Sequence, residues 1–114
     1  MHRSTKSLLE EFVHVADSSI HGKGCFAACD IKKGTLIGIF QGRRTTIPGM
    51  HTLLAMDDKN RVVGRIGSND LRYLNSASRA NAAFEGFRLY ARRNIPKGDE
   101  LTINYNTPIF LPSA

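Results

Sequence analysis

The sequence predicts a mostly-β fold in one domain, and three observations carry that prediction. Apolar residues fall in short runs of four to six, each closed by Gly, Pro, Asn or Asp, the texture of strands joined by turns. Helix-start signals are scarce. A length of 114 residues with 41% hydrophobic content supports a single core and excludes a two-domain enzyme.

Taken in order, residues 1–11 form a lead-in segment whose Ser7-x-x-Glu10 spacing fits the cap of a short helix. Strand-like runs follow at 12–15, 24–28, 35–40, 51–56, 61–66, 87–91 and 101–105. In the sixth of these, Phe87, Leu89 and Ala91 share one face while Arg88 and Arg92 take the other, the alternation of a half-exposed strand. One pattern occurs twice: Asp30-Ile31-Lys32-Lys33-Gly34 and Asn94-Ile95-Pro96-Lys97-Gly98 each stand just before a strand. Both read as tight turns, with Pro96 fixing φ at a turn's second position and Gly34 and Gly98 supplying positive φ. Ser68-Asn69-Asp70 predicts a capped helical turn over 71–74 with an acidic group at its positive end.

Sixteen Lys and Arg against ten Asp and Glu give a net charge of +6, which draws a chain toward anionic surfaces, nucleic acid included. From Arg43 to Arg79 there are seven basic residues (Arg43, Arg44, Lys59, Arg61, Arg65, Arg72, Arg79) and three acidic ones, so four of the six net charges lie there. No aromatic-rich RNA-binding motif or zinc finger accompanies this basic patch, and a solvated face explains it equally well. Cys25 and Cys29 are too few for a disulfide framework and read as buried thiols. With His14 and His21 they match no usual spacing of zinc ligands, so no metal is expected. The chain lacks the run of about 18 apolar residues that a membrane helix needs, and its N-terminus lacks the apolar stretch of a signal peptide, so neither a membrane nor secretion is expected.

Three segments carry residues suited to chemistry. In His21-Gly22-Lys23-Gly24 the two glycines allow a sharp turn and close approach of backbone amides to an anion; on its own this is a hairpin turn. Residues 69–81 pack three Asn and two Ser around an apolar pair, a loop that bonds its own backbone or a polar ligand. The stretch Gly98-Asp99-Glu100-Leu101-Thr102-Ile103-Asn104-Tyr105-Asn106 reads as a strand ending in a tyrosine, a position usually half-buried.

In that order the three segments resemble the SET-domain family of protein-lysine methyltransferases, from about Phe12 to Asn106. Ser19-Ile20-His21-Gly22-Lys23-Gly24-Cys25-Phe26-Ala27, then Asp30-Ile31-Lys32-Lys33-Gly34 and Ile39-Phe40-Gln41-Gly42, are similar to the N-terminal half of that domain. Asn69-x-x-Arg72-Tyr73-Leu74-Asn75 with Asn81 resembles its Asn-His-Ser-Cys-x-Pro-Asn loop, and Gly98-x-Glu100-Leu101-Thr102-x-x-Tyr105 its C-terminal motif. The resemblance implies several small β-sheets with little helix, a knot-like C-terminal crossing of the Asn75 and Tyr105 segments, a domain over 12–106 with a short substrate-selecting insert at about 43–68, and a tail over 107–114. It also implies S-adenosylmethionine as cofactor and methyl transfer to a lysine side chain of a protein, histone-like or other. Tyr105 would be catalytic; Gly22, Lys23, Gly24, Arg72, Tyr73, Asn75 and Ser76 would hold the cofactor, with Phe110 covering its adenine or, alternatively, packing on the core.

Several positions depart from the family pattern. Ser76, Ala77 and Ser78 stand where the family has His-Ser-Cys, Ala80 stands for Pro, and Asn104 precedes the tyrosine where an acid is common. The alternative function is therefore a catalytically impaired SET-fold module that binds protein. The family's flanking zinc clusters are absent, and a homodimer is an expected way to close the lysine channel. A bare SET domain is more like those of bacteria or large viruses, which places it in the cytoplasm, or in the nucleus of a eukaryote.

Overall fold

The structure, a computed structural model, describes residues 8–112. Chain order gives helix α1 (Leu8–Phe12), then strands β1 (Val13–Asp17), β2 (Lys23–Ala27), β3 (Leu36–Ile39), β4 (Gly42–Thr45), β5 (Thr52–Met56) and β6 (Val62–Gly67). A 3-10 turn over Asp70–Tyr73 precedes β7 (Asn75–Ser76), β8 (Ala82–Glu85), β9 (Arg88–Ala91) and β10 (Glu100–Ile103). These strands make three small sheets, ordered β1-β2-β10-β7, β3-β9-β8 and β4-β6-β5. The fold is therefore mostly β in several small sheets with almost no helix.

Alternation places the core. In β9 Leu89 and Ala91 are buried while Arg88 is exposed, and in β10 Leu101 and Ile103 point inward. Ile31, Ile37, Leu71, Leu89, Ile95 and Leu101 are the largest fully buried aliphatic side chains and draw all the segments around one cluster. Helix α1 crosses the expected boundary of the lead-in, and Leu9 packs over Gly38, where a Cβ would lie 3.1 Å from its Cδ1. The capping residue Ser7 lies outside the described residues.

The two similar pentapeptides face one another. Ile31 and Ile95 exchange backbone bonds of 2.8 and 2.7 Å, Lys33 N–H donates to Asn94 Oδ1 at 2.9 Å, and Lys97 N–H donates to Asp30 Oδ1 at 2.8 Å. Each turn closes from the amide of the residue after its glycine, Thr35 to Lys32 and Asp99 to Pro96, both at 3.1 Å. Gly34 and Gly98 sit at φ +88 and +92, the third position of a type II turn. Pro96 is thus the first residue of its turn and not the second, which Lys97 occupies.

Three strands escaped the sequence reading. Strand β4 contains Arg43 and Arg44, is exposed at both, and is paired only through its backbone to β6. Strand β7 is two residues long and exists through its parallel pairing with β10, Thr102 opposite Asn75 and Ile103 opposite Ser76. Strand β8 opens with Ala82 and Ala83, weak strand formers, beside β9. Conversely, β10 stops at Ile103: the Asn104 side chain accepts the Asn106 amide at 2.9 Å and its carbonyl the Thr107 amide at 3.1 Å, so Tyr105 lies in a turn beyond the strand.

Candidate active site

The loop joining β1 to β2 is held by Ser18. Its amide donates to the Gly22 carbonyl at 2.7 Å, and its hydroxyl accepts the Ile20 amide at 2.9 Å and lies 2.8 and 2.9 Å from the Glu100 carboxylate oxygens. Gly22 has φ +45, and open space lies where its Cβ would be. Gly24 acts differently from the turn residue expected. It is buried inside β2, and a Cβ there would strike Glu100 Oε2 and lie 3.0 Å from Ser18 Cβ.

Asn75 joins this loop to the C-terminal strand. Its Nδ2 lies 3.1 Å from the His21 carbonyl, 3.0 Å from that of Lys23 and 2.8 Å from Glu100 Oε2, three acceptors sharing two hydrogens. The neighbouring wall is built on Arg72, whose guanidinium lies 4.3 Å from the Tyr73 ring centre and donates to Tyr73 Oη at 2.8 Å and the Asn69 carbonyl at 2.9 Å. The Asn69 side chain does not cap the 3-10 turn; it donates to the Ile39 carbonyl at 2.7 Å. Together Gly22, Lys23, Arg72, Tyr73 and Asn75 line one open cleft of about 190 Å³ with His21, His51 and Leu74.

Sequence reasoning missed His51. It sits at φ +58, donates from Nδ1 to the Arg72 carbonyl at 2.9 Å and meets the Tyr73 ring edge-on at 5.5 Å. Its only sequence signal is the Pro48-Gly49 turn ahead of β5. Glu100, quoted in the C-terminal motif without a role, is the buttress behind Gly24 and Asn75.

Tyr105 does not line the cleft but is tied to Leu74, which does. Its hydroxyl donates to the Leu74 carbonyl at 3.0 Å, and its amide donates to Ser76 Oγ at 3.3 Å. About half of the residue's surface is exposed, yet the hydroxyl is turned inward, and burial, followed by nearby Cys25, pushes it above the usual tyrosine range. At neutral pH it is a protonated donor. A second cavity of about 170 Å³ is lined by Tyr105, Ile103, Ala82, Phe84, Pro108 and Arg92, among others. Two openings therefore flank one backbone carbonyl and one phenol. Ser76 does not line the cleft; it holds the Tyr105 backbone.

Phe110 is not brought to the cleft. The tail pairs with the end of β5 remote from His51, through Met56 N–H to the Ile109 carbonyl at 2.9 Å and Leu111 N–H to the Met56 carbonyl at 2.8 Å. Gly86 donates to the Phe110 carbonyl at 2.9 Å, and the Phe110 side chain stays exposed while Ile109 and Leu111 pack on the core. The basic stretch is likewise partly consumed. Arg61 pairs with Asp57 at 2.8 Å, and Arg65 donates to the Phe40 carbonyl at 2.7 Å with its guanidinium 4.1 Å from the Phe87 ring centre.

Comparison with known proteins bears on this geometry. A family model described as the SET domain matches residues 22–106, which takes in most of the residues lining the two openings. No curated protein matches the chain. Among solved structures, a Plasmodium falciparum protein described as a "putative histone methyltransferase" has the same fold, with a TM-score of 0.64 and 22% identity over 83% of this chain and 93% of that one. The family match covers most of the sequence and the segments that meet at Tyr105, and the chain belongs to the SET-domain family.

Proposed function

We propose that the protein is an S-adenosylmethionine-dependent protein-lysine methyltransferase with Tyr105 as its catalytic residue. One observation carries the reading: the cleft lined by Gly22, Leu74 and Asn75 and the cavity lined by Tyr105 are joined by the hydrogen bond from the Tyr105 hydroxyl to the Leu74 carbonyl. In-line displacement needs donor and acceptor to approach from opposite sides, and alignment supplies much of the rate. When bound, S-adenosylmethionine supplies a methyl group on a positively charged sulfur, the carbon–sulfur bond breaking as nitrogen bonds to carbon and the electron pair staying on sulfur.

The residues of the cleft fit that cofactor. Open space over Gly22 admits a ligand against the backbone, the exposed Lys23 ammonium can exchange Asp17 for a ligand carboxylate, and Tyr73, held by Arg72, and His51 offer ring surfaces. Asn75 keeps the His21 and Lys23 carbonyls in place, so the loop meets a ligand already ordered. In the Tyr105 cavity, small and aliphatic residues enclose the stem of a lysine, and their poor solvation favours its neutral amine. Tyr105, kept protonated, orients the amine by its lone pairs while its O–H stays donated to the Leu74 carbonyl.

Calorimetric titration with S-adenosylmethionine tests the reading, with Tyr105→Phe as its partner. Micromolar binding is expected for both, while methylation of a lysine substrate falls at least about 100-fold in the variant. Absence of binding at millimolar cofactor would overturn the enzyme reading and leave a SET-fold protein-binding module.

A further inference from the structure

We infer that the substrate is a lysine flanked by acidic residues, recognised by an arginine cluster at the mouth of the Tyr105 cavity; this rests on the methyltransferase reading and deepens it. Arg92 is the charged residue among those lining the cavity, and no carboxylate lines it. Segments 79–81 and 92–93 run side by side. Arg92 N–H donates to the Asn81 carbonyl at 2.9 Å, and the Arg93 guanidinium donates to the carbonyls of Arg79 at 2.9 Å and Ala80 at 3.3 Å. Arg92 thus stands at the cavity, with Arg79 and Arg93 on the adjoining stretch of the two segments.

None of the three has an acidic partner: the ion pairs among the described residues are Lys23 with Asp17 and Arg61 with Asp57. Arg79 and Arg92 are exposed, and no bond holds their side chains, whereas Arg93 is spent on backbone carbonyls. An unpaired cation beside the cavity repels a protonated lysine, and more so a lysine inside a basic tail. Aspartate or glutamate next to the lysine reverses the sign, steering the peptide in and pairing with Arg92 and Arg79. The cavity's small and aliphatic residues suit a methylene stem, whereas a single-stranded nucleic acid is held on a row of stacking rings.

The test compares peptides of equal length that carry one lysine flanked by Asp and Glu, by Ala, or by Lys and Arg, together with a DNA oligonucleotide as competitor. The acid-flanked peptide is expected to have kcat/KM about tenfold or more above the basic one, the gap narrowing as salt rises. Arg92→Glu combined with Arg79→Glu should invert the order, with unchanged cofactor heat in calorimetry showing that the fold survives. Equal use of all peptides, a preference for the basic one, or an order unmoved by the double variant would overturn the inference while cofactor binding upheld the enzyme. Oligonucleotide binding through Arg79 and Arg92 that acidic peptide cannot displace would overturn it in favour of nucleic acid. Loss of cofactor binding in the unaltered protein would instead remove the methyltransferase reading on which it rests.

Discussion

The paired corners at 30–34 and 94–98 and the crossing of β7 with β10 each join segments far apart in sequence, and they do so by opposite means. At the corners the two chains satisfy each other reciprocally: isoleucine amide for isoleucine amide, Asp30 for Lys97, Asn94 for Lys33. At the crossing, single side chains cover backbone carbonyls, Asn75 on His21 and Lys23, Tyr105 on Leu74. The corners line an open hollow of about 310 Å³ of their own, from Asp30, Ile31, Lys32, Asn94, Ile95 and Pro96, but it holds none of the residues that match the family motifs around Tyr105. The cleft of Asn75 and the cavity of Tyr105 both lie at the crossing, so the difference separates scaffold from candidate site.

Alkali should break the crossing first. Burial, then the charges of Asp70 and Glu100, push Cys25 up to about 12. A thiol whose folded pKa is raised binds more protons folded than unfolded. Its stabilisation is present below about 9 and is lost as pH climbs through the folded value. Denaturant unfolding from pH 8 to 11, on the order of the thiol's titration range, should show a fall of several kcal/mol that Cys25→Ala flattens in part. Tyr105, which is shifted the same way, contributes to the slope that remains. Hydrogen exchange should reach the Ala77 amide before those of Gly34 and Gly98, and the reverse order would sink the comparison.

Asn75→Ala comes next. Removing its amide leaves two carbonyls and the Glu100 carboxylate short of a donor, a loss of about 2 kcal/mol of stability. Cofactor affinity should fall at least about tenfold, beyond what stability alone explains, because the Gly22 loop is no longer held. Affinity equal to the wild type would assign Asn75 to the scaffold. The smallest effect is expected at the corners. Asp30→Ala and Asn94→Ala should each cost about 1 kcal/mol and leave cofactor binding untouched, with the double variant non-additive since both hold the same pair of turns. Thermal melts read with calorimetry decide this.

The same contrast explains what could be read without coordinates. The strands at 87–91 and 24–28 were legible because alternation is a local property of the chain, and the corners because Gly34 and Gly98 announce positive φ. Strands β7 and β4 were not: one consists of two residues defined by a partner 27 positions away, Thr102 opposite Asn75, and the other carries arginines with no apolar face. The turn at Asn104 was written in the sequence as Asn104-Tyr105-Asn106-Thr107-Pro108, but the strand pattern before it masked that signal. Of the proposed cofactor residues, those on the Gly22 loop and the Arg72–Asn75 segment meet in space. His51 approaches from a third segment that no motif marks. Phe110 lies elsewhere because the tail's amides and carbonyls find partners on β5 and Gly86, and an edge strand with unpaired groups captures such a tail.

That capture links two parts of the protein that look independent. Met56, at the end of β5, holds the segment whose Thr107, Pro108 and Ile109 wall the Tyr105 cavity. Any change that slides or lengthens the 43–68 insert therefore moves one wall of the cavity while the phenol stays fixed by Leu74 and Ser76. A substitution in β5 is thus expected to reshape the cavity without altering a residue that lines it.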